Sequence, residues 1–164
     1  MAINEQGIFQ SRYKVIPRTL IFLKRHKSIL LIKGAESKKL WPNLYNGIGG
    51  HIEKGEDVFT AAKRELFEET GISNIKLLFA GTIMVDAGED TGIVIFLFKG
   101  ELENQDFIPS NEGDLFLIPL TEIDQYPLVE DLYQLIPKIF SGKMISGKYF
   151  YTDEKLKTCF FEME

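Results

Sequence analysis

Three carboxylates fall within five residues at Glu65, Glu68 and Glu69, inside the run Arg64-Glu65-Leu66-Phe67-Glu68-Glu69. On a helix, Glu65 and Glu69 lie one turn apart and Glu68 sits three residues from Glu65, so all three share one face. Like charges this close raise one another's pKa and oppose folding unless something cationic joins them. Two arrangements satisfy that demand. One is a solvated helix face with Lys63 and Arg64 as counterions. The other is a hard divalent cation: Mg²⁺ takes oxygen ligands, keeps several waters, and is held by one or two carboxylates together with substrate phosphates.

A helix must carry these acids, and the flanking sequence supplies one. Val58, Ala62 and Leu66 form a neighbouring stripe that can face a core. Asp57 suits the positive end at the start of the helix and Gly71 suits a left-handed stop. Before the helix, Asn46–Ile52 reads as a short glycine-rich strand, and Gly34–Asn46 as a loop with Lys38-Lys39, Trp41-Pro42 and Tyr45. Ile16–Phe22 and Ile29–Ile32 are β-branched and apolar, which predicts a hairpin with His26 in its charged turn. Further strands are expected over Ile75–Val85, Gly92–Leu102, Leu115–Leu120, Lys148–Thr152 and Leu156–Phe161. Leu132, Leu135, Ile136 and Ile139 give helical spacing over Leu128–Phe140. The expected fold class is α/β (α+β), a mixed sheet between helices in an α/β/α sandwich, with residues 1–164 as one domain and 1–14 as a poorly ordered lead-in.

Composition narrows the functions. Of 164 residues, 45% are hydrophobic and 26% charged, ordinary values for a soluble globular chain. A net charge of −5 argues against general nucleic-acid binding, which wants a basic stripe. It leaves room for a phosphate substrate if a metal supplies positive charge. One cysteine, Cys159, excludes an intrachain disulfide and fits a reducing compartment. The stretch MAINEQGIFQ lacks a signal pattern and no apolar run approaches a membrane span, so a cytoplasmic protein is expected.

Written out, the central run is Gly50, five residues, Glu56, seven residues, Arg64-Glu65-Leu66, Phe67, Glu68-Glu69, Thr70, Gly71, Ile72. It resembles the Nudix box, G-x5-E-x7-R-E-U-x-E-E-x-G-U with U aliphatic, at every specified position. The resemblance implies a Nudix fold and a phosphoanhydride hydrolase that uses Mg²⁺, with Mn²⁺ able to substitute. It implies that Glu68 and Glu69 bind metal with the backbone carbonyl of Gly49, and that Arg64 and Glu56 orient the carboxylates. Glu65 matches a position that is the general base in the MutT branch and a metal ligand in others. A further acidic ligand is expected downstream; Glu112 is the choice, with Glu101, Glu103 and Asp106 as rivals.

Outside the box the chain is similar to the MutT-like purine nucleoside triphosphatases. Trp41-Pro42-Asn43-Leu44-Tyr45-Asn46-Gly47-Ile48-Gly49-Gly50 resembles their W-N-G-x-G-G segment. There Asn46 matches an asparagine on the purine edge, Glu130-Asp131 an acidic pair that reads the base, and Lys33 a pocket lysine. Each has a plainer reading, as a turn residue, a charged helix start and a solvated strand end. The chain departs from the branch at Leu128, near where a stacking aromatic stands, and at Trp41, which lies five residues before Asn46.

The expected function is a Mg²⁺-dependent pyrophosphohydrolase of a nucleoside diphosphate-X, with a small-molecule nucleotide as partner. The favoured substrate is a purine (deoxy)nucleoside triphosphate, including oxidised forms such as 8-oxo-dGTP, giving monophosphate and pyrophosphate. Alternatives are an ADP-ribose or nucleotide-sugar pyrophosphatase and a nucleotide-sensing module without turnover. Isopentenyl diphosphate isomerase shares the fold but needs a pocket cysteine, and Cys159 lies in the last expected strand.

Overall fold

A computed structural model describes residues 7, 12–37 and 39–164. The expected lead-in of residues 1–14 falls largely outside the described residues, and at its end Lys14 already begins a strand.

The strands are β1 (Lys14–Arg25), β2 (Ser28–Gly34), β3 (Tyr45–Asn46), β4 (Leu78–Asp86), β5 (Thr91–Glu101), β6 (Gly113–Pro119), β7 (Ile145–Thr152) and β8 (Lys155–Met163). The helices are α1 (Val58–Thr70) and α2 (Leu132–Ile139). One mixed sheet runs β3-β2-β1-β5-β4-β7-β8, with β6 along β2. β1 and β2 form the expected hairpin, with His26 at a positive φ of 54° in its turn. β1 then lies parallel to β5 from the Lys14–Thr91 pair to the Lys24–Glu101 pair.

Alternation along the central strands gives the sheet two apolar faces. Ile21, Leu23, Leu30 and Phe98 pack under Ala62 and Leu66 of α1. Phe22, Ile29, Leu31 and Ile83 pack under Leu132, Leu135, Ile136 and Ile139 of α2. This is the α/β/α sandwich expected from the sequence. The stripe Val58, Ala62, Leu66 is the face that docks, which leaves the three carboxylates beside it, Glu69 buried, Glu65 half-buried and Glu68 exposed.

Several boundaries differ from the sequence reading, β1 and β7 among them by up to three residues. Of Asn46–Ile52, only Asn46 joins a ladder strand. The rest follows β1 through single bridges at Ile21–Ile48 and Arg18–His51, because Gly49 turns to a φ of 149° and breaks the extended run. The strand expected from Ile75 starts at Leu78, and Gly81, at a φ of 137°, carries its bulge. The helix expected from Leu128 starts at Leu132. Residues 127–129 are held extended by Tyr45, whose N–H donates to the Pro127 carbonyl at 2.9 Å and whose carbonyl accepts from Val129 N–H at 3.0 Å. A 3₁₀ turn at Leu120–Gln125, anchored by buried Ile123, has no counterpart in the sequence reading.

Candidate active site

Helix α1 is held at both ends by its own sequence. Asp57 caps the start, accepting hydrogen bonds from the N–H groups of Phe59 at 2.8 Å and Thr60 at 3.0 Å. Gly71 ends it in the left-handed conformation at a φ of 73°, donating to the Phe67 carbonyl at 2.8 Å. Between these stops the acids have fixed positions.

Arg64 gathers three of the acids. Its Nε donates to Glu56 Oε1 at 2.6 Å and its Nη2 to Glu56 Oε2 at 2.9 Å, a bidentate pair. Its Nη1 donates to Glu65 Oε1 at 2.8 Å and Glu68 Oε2 at 3.1 Å, and Nη2 also reaches the His51 carbonyl at 3.0 Å. The Arg64 guanidinium brings the Glu56 carboxyl down to about 2, with help from the Glu53 N–H. Hydrogen bonds donated to Glu56 and Glu65 in turn hold Arg64 more firmly charged than usual. Glu69 points away from this group and is buried; its Oε2 accepts the Gly49 N–H at 3.0 Å.

Of the two glycines before the helix, Gly49 is required by the backbone beside it and Gly50 leaves room for the Glu65 side chain. A Cβ on Gly49 would collide with the Thr19 carbonyl, and a Cβ on Gly50 would meet the Glu65 carboxylate. The second clash shows that the space beside Gly50 belongs to that carboxylate. Among the described residues, no three Asp, Glu, His or Cys side chains converge as they stand tightly enough to hold a metal ion. Glu65 and Glu68 are turned to Arg64 instead. The donors nonetheless fit a hard divalent cation: carboxylate oxygens of one helix face, next to a side-chain-free backbone at Gly49-Gly50.

Two cavities adjoin this cluster. The smaller, about 280 Å³, has Gly49, Glu69, Ile32, Gly34 and Leu44 in its wall. The larger, about 1040 Å³, runs across the α2 face of the sheet to Val129, Asp131, Tyr149 and Tyr151. Arg18, Lys39, Leu40, Trp41, Asn46, Gly47 and Gly49 line both. Asn46 thus stands in the wall of both cavities, with its Oδ1 accepting from Gly47 N–H at 2.8 Å.

The acidic pair at the start of α2 is split. Asp131 is buried in the larger cavity wall while Glu130 is exposed. Burial pushes the Asp131 carboxyl up to about 6, opposed by its own backbone N–H and by the neighbouring Tyr149 hydroxyl, with Glu130 adding to the rise. Tyr149 is itself buried, its hydroxyl makes no hydrogen bond of good geometry, and burial raises its pKa strongly.

Of the predicted site residues, Glu56, Arg64, Glu65, Glu68 and Glu130 line neither cavity, and neither do Lys33 and Glu112. Near the end of β2 the Lys33 ammonium lies 5.8 Å over the Tyr45 ring. Glu112 sits in the turn before β6, its N–H on Ser110 Oγ at 3.1 Å, and lines neither cavity. Its rival Glu101 pairs with Lys24 at 3.3 Å. Cys159 is half-buried in β8, and burial raises its thiol.

Sequence reasoning missed Arg18, Tyr149 and Tyr151. Arg18 had a signal, since it is the one charged residue within Ile16–Phe22. The tyrosines had none, because only β7's place beside β4 brings them under α2.

Comparison with known proteins gives the family and the fold. The NUDIX domain family matches residues 15–139. The oxidized purine nucleoside triphosphate hydrolase of Mus musculus is 32% identical over 88 residues, 54% of this chain and 48% of that protein. The chain spans about half the length of several curated relatives it matches, and less of others. The crystal structure of a mutator MutT protein from Bacillus halodurans superposes with a TM-score of 0.77 at 22% identity, covering 90% of this chain and 98% of that one. The NUDIX domain of Shewanella oneidensis NrtR, complexed with ADP ribose, gives a TM-score of 0.68 at 19% identity, covering 84% and 96%. These structures share the fold.

Proposed function

The chain belongs to the Nudix family, and on that premise we propose that it hydrolyses a purine nucleoside triphosphate, oxidised forms included, to the monophosphate and pyrophosphate. The observation that carries this reading is one continuous cavity wall. It joins the carboxylate end, at Gly49 and Glu69, to a nucleoside-sized chamber with Asn46 on one side and Asp131 at its base. Leu20, Val85, Ile93 and Ile95 give that chamber an apolar surface suited to a flat ring. Asn46 and Asp131 offer polar groups to its edge. The mouse relative named as an oxidized purine nucleoside triphosphate hydrolase supports the same substrate class.

Glu68, Glu69 and the Gly49 carbonyl would hold Mg²⁺, or Mn²⁺ in its place, with Glu65 beside them. When bound, that ion neutralises phosphate charge and lowers the pKa of water. The protein's own groups do the rest. Glu65 takes the proton of the attacking water, while Arg64 and Glu56 hold it in place. The attack breaks one phosphoanhydride P–O bond and the electron pair leaves on the departing phosphate oxygen.

The test is a nucleotide panel with Mg²⁺, following pyrophosphate, phosphate and AMP. Pyrophosphate from purine triphosphates is the expected outcome, falling by about 10²-fold or more in Glu65→Gln and Glu68→Gln. Near-normal turnover in both variants would sink the site assignment. AMP released from ADP-ribose would replace the substrate, and no product from any compound would make the protein a nucleotide sensor. Trp41, the only tryptophan, lines both cavities, so its fluorescence reports ligand entry in every case.

A further inference from the structure

We propose that Arg18 is the residue that grips the phosphate nearest the nucleoside. This rests on the nucleotide reading above and adds to it a group outside the box. Arg18 lies on β1 at the point where the two cavities meet, and lines both. A phosphate chain running from the carboxylates to the larger chamber has to pass it.

Its surroundings suit an anion. Arg18 is half-buried in the strand, in the wall of both cavities. A cation partly taken out of water gains most from a close anionic partner. A guanidinium presents paired N–H donors that match two phosphate oxygens, which an ammonium cannot do. The backbone beneath it is fixed. Arg18 bridges His51, the adjacent Thr19 N–H donates to the Gly50 carbonyl at 2.8 Å, and the strand is paired to β5 along its length. Lys39, the other cation shared by both cavities, stands on an exposed loop and lacks such support.

The geometry also explains why the cation is tolerated between uses. Glu65 and Glu69 face it from α1, on the carboxylate side. A phosphate arriving with a metal would take over both partnerships, drawing Arg18 from acid to phosphoryl oxygen. Arg18 therefore acts on ligand binding first, and on turnover only through where the phosphate is held.

Calorimetric titration of deoxyguanosine against deoxyguanosine 5′-monophosphate, and of adenosine against AMP, separates these effects, in EDTA and again with Mg²⁺. The wild-type protein should bind a monophosphate at least about tenfold more tightly than its nucleoside. Arg18→Gln should erase that ratio while leaving nucleoside affinity in place, and Arg18→Lys should keep only part of it. Thermal melting checks that each variant is folded, and Arg18→Lys carries the test if Arg18→Gln is not. An intact ratio in the folded variants overturns the role of Arg18 alone. A wild-type protein that binds none of the four compounds overturns the nucleotide reading and this proposal together.

Discussion

At the scale of single residues, the chemistry depends on which side chains the strands turn inward. Asp131 is the clearest case: adjacent acids at 130 and 131 have different fates because only one is buried. Its carboxyl, at about 6, is faced by Tyr149, Tyr151, Cys159 and Glu130. It is a neutral donor below that pH and a charged acceptor above it. Purine affinity of the wild type should therefore inflect near pH 6, and Asp131→Asn should flatten the profile in a binding titration. The same shift acts on stability. A carboxyl whose folded pKa is raised incurs no cost while both states are protonated, below about 4, and its cost grows as pH rises to about 6. Relative to Asp131→Asn, the wild type should lose about 3 kcal/mol of unfolding free energy across that interval. A second outcome concerns Gly50. In Gly50→Ala the new methyl meets the Glu65 carboxylate, so Mg²⁺ affinity should fall severalfold with the melting temperature little changed, as read by metal titration. The box residues were legible in the sequence because their chemistry depends on spacing along one helix. Lys33 was not, since it stands at the end of β2 and only the fold places the Tyr45 ring there for its ammonium to lie over, away from both cavity walls.

At the scale of elements, α1 was readable from both ends. Asp57 and Gly71 cap it, and the stripe at Val58, Ala62 and Leu66 docks it. Leu66 is fully buried between the sheet and the helix axis, so Leu66→Ala should destabilise the protein by about 2–5 kcal/mol in denaturant unfolding. It should also lower activity more than a distant cavity of equal size, because Glu65 is its neighbour in sequence. α2 was half-readable. Its apolar spacing predicted the helix, but the start was placed four residues early. What decides that start is the pairing of Pro127 and Val129 with Tyr45, a contact from a loop more than eighty residues upstream. The strands came out within a few residues for the same reason that their order did not. Apolar runs mark where strands are, whereas nothing in a run states which neighbour it joins.

At the scale of the whole molecule, the acids of α1 repel one another, and binding a divalent cation there should stabilise the fold. At a Mg²⁺ concentration 100-fold above its Kd the linkage amounts to about 2.7 kcal/mol. For a chain of 164 residues this should raise the melting temperature by roughly 5–10 °C, and Glu68→Gln should remove most of the rise in a thermal scan. The pairing of β1 with β5 carries a consequence of its own. Ile16 lies opposite Ile93, so the strand that bears Arg18 has to wait for a partner that leaves the ribosome 77 residues later. Until then its flank is open, and the larger cavity lacks Ile93, Ile95 and every later residue of its wall. A nascent or truncated chain ending before Thr91 would hold an intact acidic helix and yet have nowhere to seat a nucleotide.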